Sequence, residues 1–268
     1  INIHELTIEE PEKQAGMTFD LEKDITKKDW EKLMANLENC KKEGHWEEYL
    51  RNAPRVKILN PDIDLGVGGE ECMGIEAILR HGMANGLWES LPMHLASYKI
   101  LDPNMNFYVS PEDWNIMMSQ LDRARANKFW GTFASLAMDA KILNPKFDLH
   151  IDQEAWDGMR AELNKYESNG SWFDFAFLAM KMKVLDPDIE IDLNGRAWKG
   201  MRRELEGSEE TGMRDNNWND FLWQAMAMKI LAASKIEFTD EGLKIAMPKS
   251  ADQSFSSGVP PMPEAKQF

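Results

Sequence analysis

In a chain of 268 residues, 31 Lys and Arg stand against 46 Asp and Glu, for a formal charge of −15. That balance argues against general nucleic-acid binding, which needs cationic side chains to displace counterions from phosphates, and it disfavours anionic membrane surfaces for the same reason. No segment approaches the roughly 18 uninterrupted apolar residues of a membrane span, so no membrane insertion is expected, while 43% hydrophobic residues and ten Trp supply a core.

Residues 1–16 are acidic, lack sustained periodicity and read as a leading arm. They start at Ile1, without a basic-then-apolar secretory signal. A cytoplasmic, reducing setting is expected, with room left for a lost leader. Only Cys40 and Cys72 are present, and Cys72 takes the slot that Trp fills in four other units, which argues for a small buried apolar residue over a disulfide or metal role.

From Thr26 onward the chain repeats. Trp46, Trp88, Trp130, Trp172 and Trp218 lie 42, 42, 42 and 46 residues apart, and Trp30, Cys72, Trp114, Trp156 and Trp198 hold 42 throughout. A fixed period of this length is the mark of a repeat array, here five units starting near 26, 68, 110, 152 and 194. Thr26, Gly68, Ser110, Asp152 and Asn194 each stand four residues before the first Trp or Cys slot. All five are residue types that satisfy the orphan amides of a helix start. The first helix of each unit then carries apolar residues at i, i+3 and i+7, as in Trp156, Met159 and Leu163. Gly44, Gly86, Lys128, Gly170 and Asn216 end the turn before the second helix; four of the five tolerate the left-handed conformation that closes a helix. The extra four residues of unit five fall in 206–217 and are expected to lengthen that loop.

The second helix begins near each second Trp and ends at an Asn/Asp-Pro pair in four units. Pro54 and Pro92 fall inside this pattern, so those two helices should kink or start late. Between units, alternating stretches such as Ile63, Leu65 and Val67 have the period of a strand; at five residues they fit a short strand or, the favoured reading, an extended linker with its apolar side pressed on the helices. Residues 235–247 keep that pattern, with a cap-like Asp240, and the Pro- and Ser-rich 248–268 reads as a flexible or extended tail. The expected fold is all-α: a right-handed α-solenoid of five 42-residue helical hairpins over 17–247.

Few residues suggest chemistry. The Lys eleven residues into each second helix (Lys57, Lys99, Lys141, Lys183, Lys229) is the same in every copy, which favours a structural role, its head near the helix C-terminal carbonyls. The run Asp186, Asp188, Glu190, Asp192 lacks EF-hand spacing, and no two of the five His form a metal-binding pair. No phosphate-binding Gly loop or nucleophile elbow occurs, so no catalytic, cofactor-binding or metal-binding residue is assigned.

The second stripe of the second helix is more informative. At one, five, eight and twelve residues after the Trp, unit one reads Glu47, Arg51, Pro54, Ile58. Unit four reads Phe173, Phe177, Met180, Val184, and unit five Asn219, Trp223, Met226, Ile230. Either this stripe packs unit against unit, with unit one as a polar end cap, or it forms an apolar groove in the C-terminal half for a protein or peptide. On the second reading Phe173, Phe177, Met180, Trp223 and Met226 are the candidate protein-binding residues.

In architecture the Trp-x-x-Met/Leu-x-x-x-Leu, turn, Trp-x-x-Phe-x-x-x-Ala, Lys-Ile-Leu-Asn/Asp-Pro pattern over 26–233 resembles the helix–turn–helix repeats of the TPR and HEAT superfamilies. It does not fit the 34-residue TPR consensus. The resemblance implies a solenoid and a tendency to bind other proteins. The expected function is therefore a non-enzymatic interaction scaffold or adaptor, with no cofactor. The alternatives are a structural subunit of a larger assembly and an enzyme whose site lies between repeats.

Overall fold

A computed structural model describes residues 19–88, 90–105, 107–239 and 242–248. The leading arm 1–16, Asp240 and the tail beyond Pro248 lie outside the described residues. After a short α1 (Leu21–Asp24), five helical hairpins follow. The first helices are α2 (Lys27–Glu43), α4 (Gly69–Ala84), α6 (Pro111–Ala126), α8 (Gln153–Asn169) and α10 (Gly195–Asp215). The second helices are α3 (Trp46–Leu59), α5 (Leu91–Leu101), α7 (Trp130–Leu143), α9 (Trp172–Leu185) and α11 (Asn219–Ala232). Among the described residues the fold is all-α apart from one hairpin, β1 (Lys235–Thr239) paired antiparallel with β2 (Gly242–Ala246).

Local chemistry sets the helix ends. Thr26, Gly68, Ser110, Asp152 and Asn194 are the N-caps of α2, α4, α6, α8 and α10. The Ser110 hydroxyl accepts from the Asp113 amide at 3.1 Å while the Asp113 carboxylate accepts from the Ser110 amide at 3.2 Å, a reciprocal pair that satisfies two orphan donors. All five turn residues take positive φ: Gly44, Gly86 and Gly170 at no steric cost, Asn216 at little, and Lys128 (φ 57°) against the preference of its Cβ.

The second helices bury more than the first and form an inner layer; the first helices lie outside them. Each inner helix packs on two others: α3 on α5, α5 on α7, α7 on α9, α9 on α11, and α11 back on α3. The hairpin array therefore does not run as an open superhelix; its fifth unit meets its first and the ring closes. Unit one is accordingly not an end cap. Its stripe residues Glu47 and Arg51 stay exposed and pair with each other, while the neighbouring Arg55 meets unit five, donating to Asn219 Oδ1 at 2.9 Å and lying 3.7 Å from the centroid of the Trp223 ring. Lys229, buried on α11, donates to the Ile58 and Leu59 carbonyls of α3, both at 2.8 Å, and so caps a helix from across the seam. On the outside Arg202 of α10 pairs with Asp24.

The four extra residues of unit five do not lengthen a loop. They extend α10 to 21 residues, one further turn, which packs on α2. There burial and the neighbouring Asp29 carboxylate push the Glu209 carboxyl up. The added turn costs little because the helix simply continues, each residue adding a hydrogen bond.

Neither Trp column is exposed. Trp198 and Trp218 are 3% and 1% accessible, Trp130 and Trp172 are buried, and the others are half-buried; Cys72, in a Trp slot, is half-buried rather than buried. Three indoles of the inner column lie on the next unit's outer helix. Trp46, Trp130 and Trp172 occupy the positions that a Cβ on Gly74, Gly158 and Gly200 would need. In unit three that glycine is replaced by Ile116, which is 36% exposed, and here α5 starts late, at Leu91, with Pro92 in its first turn. Pro54, in contrast, lies inside α3. Trp218, in the last unit of the sequence, rests on Gly212, in the added turn of α10.

The described linkers are extended and unpaired, with Ile63, Leu65, Phe107 and Ile189 buried. They also receive the repeated Lys. Lys57 donates to the Ile63 carbonyl at 2.9 Å, Lys183 to that of Ile189 at 3.3 Å, and Lys99 to that of Pro103. The β-hairpin crosses beneath the inner helices, from the C-terminal end of α11 to α5, and packs Ile236, Phe238, Leu243 and Ile245 on the core. It covers the end of the ring at which those helices finish. The opposite end, at their N termini, is left uncovered among the described residues.

Candidate functional site

The inner stripe grades from core to surface along the ring axis. Its deeper positions are filled: Pro54, Ala96, Met138, Met180 and Met226 are all buried, as are Ile58, Ile142, Val184 and Ile230 below them. Nearer the open end, Met93, Ser135, Phe177 and Trp223 are half-buried and Arg51 is exposed. Gly131, Phe173 and Asn219, in the first turns, are half-buried, and Glu47 is exposed. Of the sequence-predicted binding residues, the structure puts Met180 and Met226 in the core. Phe173, Phe177 and Trp223 come together at the open end.

These three rings join one chain of contacts. Phe173 stacks on Phe177 one turn along α9, with centroids 5.6 Å apart and planes 24° apart. Phe177 meets Trp223 of α11 at 4.2 Å. Arg55 covers the far side of Trp223, and the Lys181 ammonium lies 4.1 Å from the Phe177 centroid. Each cation thus meets the electron-rich face of a ring, a contact worth more where water is excluded. Lys181 also donates to Ser135 Oγ of α7 at 2.7 Å.

Behind Lys181 lies Asp139, one turn below Ser135 on α7. Burial pushes the Asp139 carboxyl up to about 7 against the pull of the Lys181 ammonium. Burial also brings Lys181 down to about 8, with Asp139 the chief group holding it up. Both shifts have the same cause, because a charge removed from water is disfavoured unless its partner compensates. The consequence for stability follows in sign. A folded carboxyl that keeps its proton to about 7, where an unfolded one releases it near about 4, loses stability as pH rises through that interval. Wild type and Asp139→Asn should melt together near about pH 4, and the variant should melt several degrees higher at about pH 7.5. Equal melting temperatures at both pH values would refute a buried, proton-holding Asp139.

A shallow cavity of about 710 Å³, broadly open to solvent, lies beside this pair, between α7, α8 and the turn before α7. Lys181 lies in its wall, with Ser135, Gly131, Glu162, Tyr166, Lys128 and Lys165. Glu162 of α8 accepts from the Gly131 amide at 3.2 Å and from the Tyr166 hydroxyl, so a carboxylate already occupies part of the positive end of α7.

Sequence reasoning missed two rim residues. The position just before each second Trp reads His45, Leu87, Phe129, Ser171 and Asn217, and there Leu87 is 50% and Phe129 62% exposed. Large apolar residues where the other copies carry polar ones were a visible signal. Among the described residues, no three His, Cys, Asp or Glu side chains gather as a metal set, and no helix is long and apolar enough to cross a membrane. Comparison of the chain with protein-family models, with curated proteins and with solved structures finds no match.

Proposed function

We propose that this chain is a non-enzymatic protein-binding module that receives a segment of a partner protein at the open end of the ring. The observation that carries the reading is the half-buried stack of Phe173, Phe177 and Trp223, with Phe129 and Leu87 exposed just before the second helices of units three and two. Aromatic side chains with Arg beside them dominate interface energies, because each buries a large area with few rotamers to freeze. Met180 and Met226 serve here as a floor beneath the rings rather than as contacts. Phe173 is the anchor to test, since it stands in the first turn of α9 and supports little beneath it. Protein recovered from the native source on wild-type chain should be lost on Phe173→Ala, with binding weakened by about 2 kcal/mol or more and the melting temperature nearly unchanged. Equal recovery on both would remove this face from the interface.

A second reading, an enzyme with its site between repeats three and four, draws support from Asp139 and Lys181. Paired buried groups with shifted proton affinities beside a cavity are common at catalytic centres, though structural ion pairs produce them too.

A further inference from the structure

Five copies of one unit are their own control: a position where one copy departs from the rest needs a local reason. The turn residue is Gly, Gly, Gly and Asn in four units and Lys128 in unit three, where it holds φ 57° that a lysine adopts only under constraint. One residue after the second Trp, the other copies carry Glu47, Glu89, Phe173 and Asn219; unit three carries Gly131. Five residues after it they carry Arg51, Met93, Phe177 and Trp223; unit three carries Ser135. These three departures converge on one place. Removing two large side chains opens the cavity between α7 and α8, and Lys128 brings an ammonium to its rim.

Two further cations complete the site. Lys181, only 5% exposed, reaches the cavity wall from α9, and Lys165 of α8 stands exposed at its edge. Three ammonium groups around one cavity run against the −15 charge of the chain. Lys128 has Glu154 at 3.3 Å, an exposed pair of the kind worth little and easily exchanged. The lining holds no guanidinium fork, the group suited to a flat carboxylate; separate point charges suit a tetrahedral anion approached from several sides. A volume near 710 Å³ exceeds what a bare ion fills, and Trp130 and Tyr166 offer apolar wall for an organic body.

We propose that the cavity between α7 and α8 is a binding site for a small organic phosphate monoester, its phosphate held by Lys128, Lys165 and Lys181 and its body against Trp130 and Tyr166. The site goes beyond the partner-binding reading and adjoins that face, since Phe129 lines the cavity and Lys181 lies on Phe177, while Phe173 and Trp223 take no part. Glu162 is the one carboxylate in the lining and opposes the ligand; it keeps the empty site neutralised at the α7 N terminus.

Phenyl phosphate is the probe, titrated into the full chain by calorimetry, with inorganic phosphate and phenol as its two halves. Phenyl phosphate should bind at least tenfold more tightly than either. Lys181→Met should weaken it tenfold or more, and Lys165→Gln, at an exposed position that cannot unfold the chain, severalfold. Glu162→Gln should tighten it severalfold by removing the opposing charge, and Ser135→Phe should abolish it by restoring the bulk that unit four carries at this position. No binding of phenyl phosphate up to about 10 mM, a Kd range still within weak specific recognition, would overturn the site. So would binding that is unchanged in both Lys165→Gln and Ser135→Phe. Binding of inorganic phosphate as tight as that of phenyl phosphate would show an adventitious ion only and overturn it equally.

Discussion

Gly158→Ala is expected to destabilise the protein by about 2–3 kcal/mol, whereas Gly207→Ala, the same change in another outer helix, should stabilise it by up to about 1 kcal/mol. Glycine in a helix interior costs conformational entropy relative to alanine, so a bystander position gains from the exchange. Gly207 is such a position, with nothing within 4 Å of where its Cβ would stand. At Gly158 the new methyl would fall within the Trp130 indole, which joins unit three to unit four. The ring must move, and with it the edge-on contact it makes with Phe133 at 6.1 Å. Urea titrations of the two variants should move in opposite directions from wild type. If both gain stability, the indole does not rest on that glycine.

A chain ended after Leu193, lacking all of unit five, should show no cooperative thermal transition. In a linear array each unit contacts only its neighbours, so losing a terminal one leaves the remaining units folded and shortens the transition in proportion. Here unit five closes the ring, and its removal uncovers both α9 and α3. Met180 and Ile58 would lose cover, the Ile58 and Leu59 carbonyls would lose their Lys229 donor, and Arg55 would be left half-desolvated without Asn219 or Trp223. A buried group stripped of its partner costs about 1–3 kcal/mol each, more when charged, and several here would be lost together. A sharp transition at four-fifths of the wild-type enthalpy would mean the units stand independently and the seam is weak.

The sequence by itself determined what depends on residues three to eleven apart. Thr26, Ser110, Asp152 and Asn194 cap the helices they were expected to cap, because a side-chain oxygen and the amide three residues on are brought together by the helix itself. Lys57 and Lys183 have the local structural partners that an identical residue in every copy suggested, although they bond linker carbonyls six residues away and not the helix C-terminal carbonyls expected. Tertiary structure alone decided the closure. The rotation from one unit to the next is fixed by packing between helices such as α5 and α7, and no single copy records whether five such steps meet. Arg55 of unit one looks the same in the sequence whether it faces water, as on an end cap, or Trp223 across a seam 168 residues later in the chain. The extra turn of α10 also reads equally as loop or helix until Trp218 needs Gly212 beneath it. The candidate cavity lies between these cases. Gly131, Ser135 and Lys128 were legible as departures from a repeat, but their convergence with Lys181, 46 residues from Ser135, exists only once α7, α8 and α9 are packed.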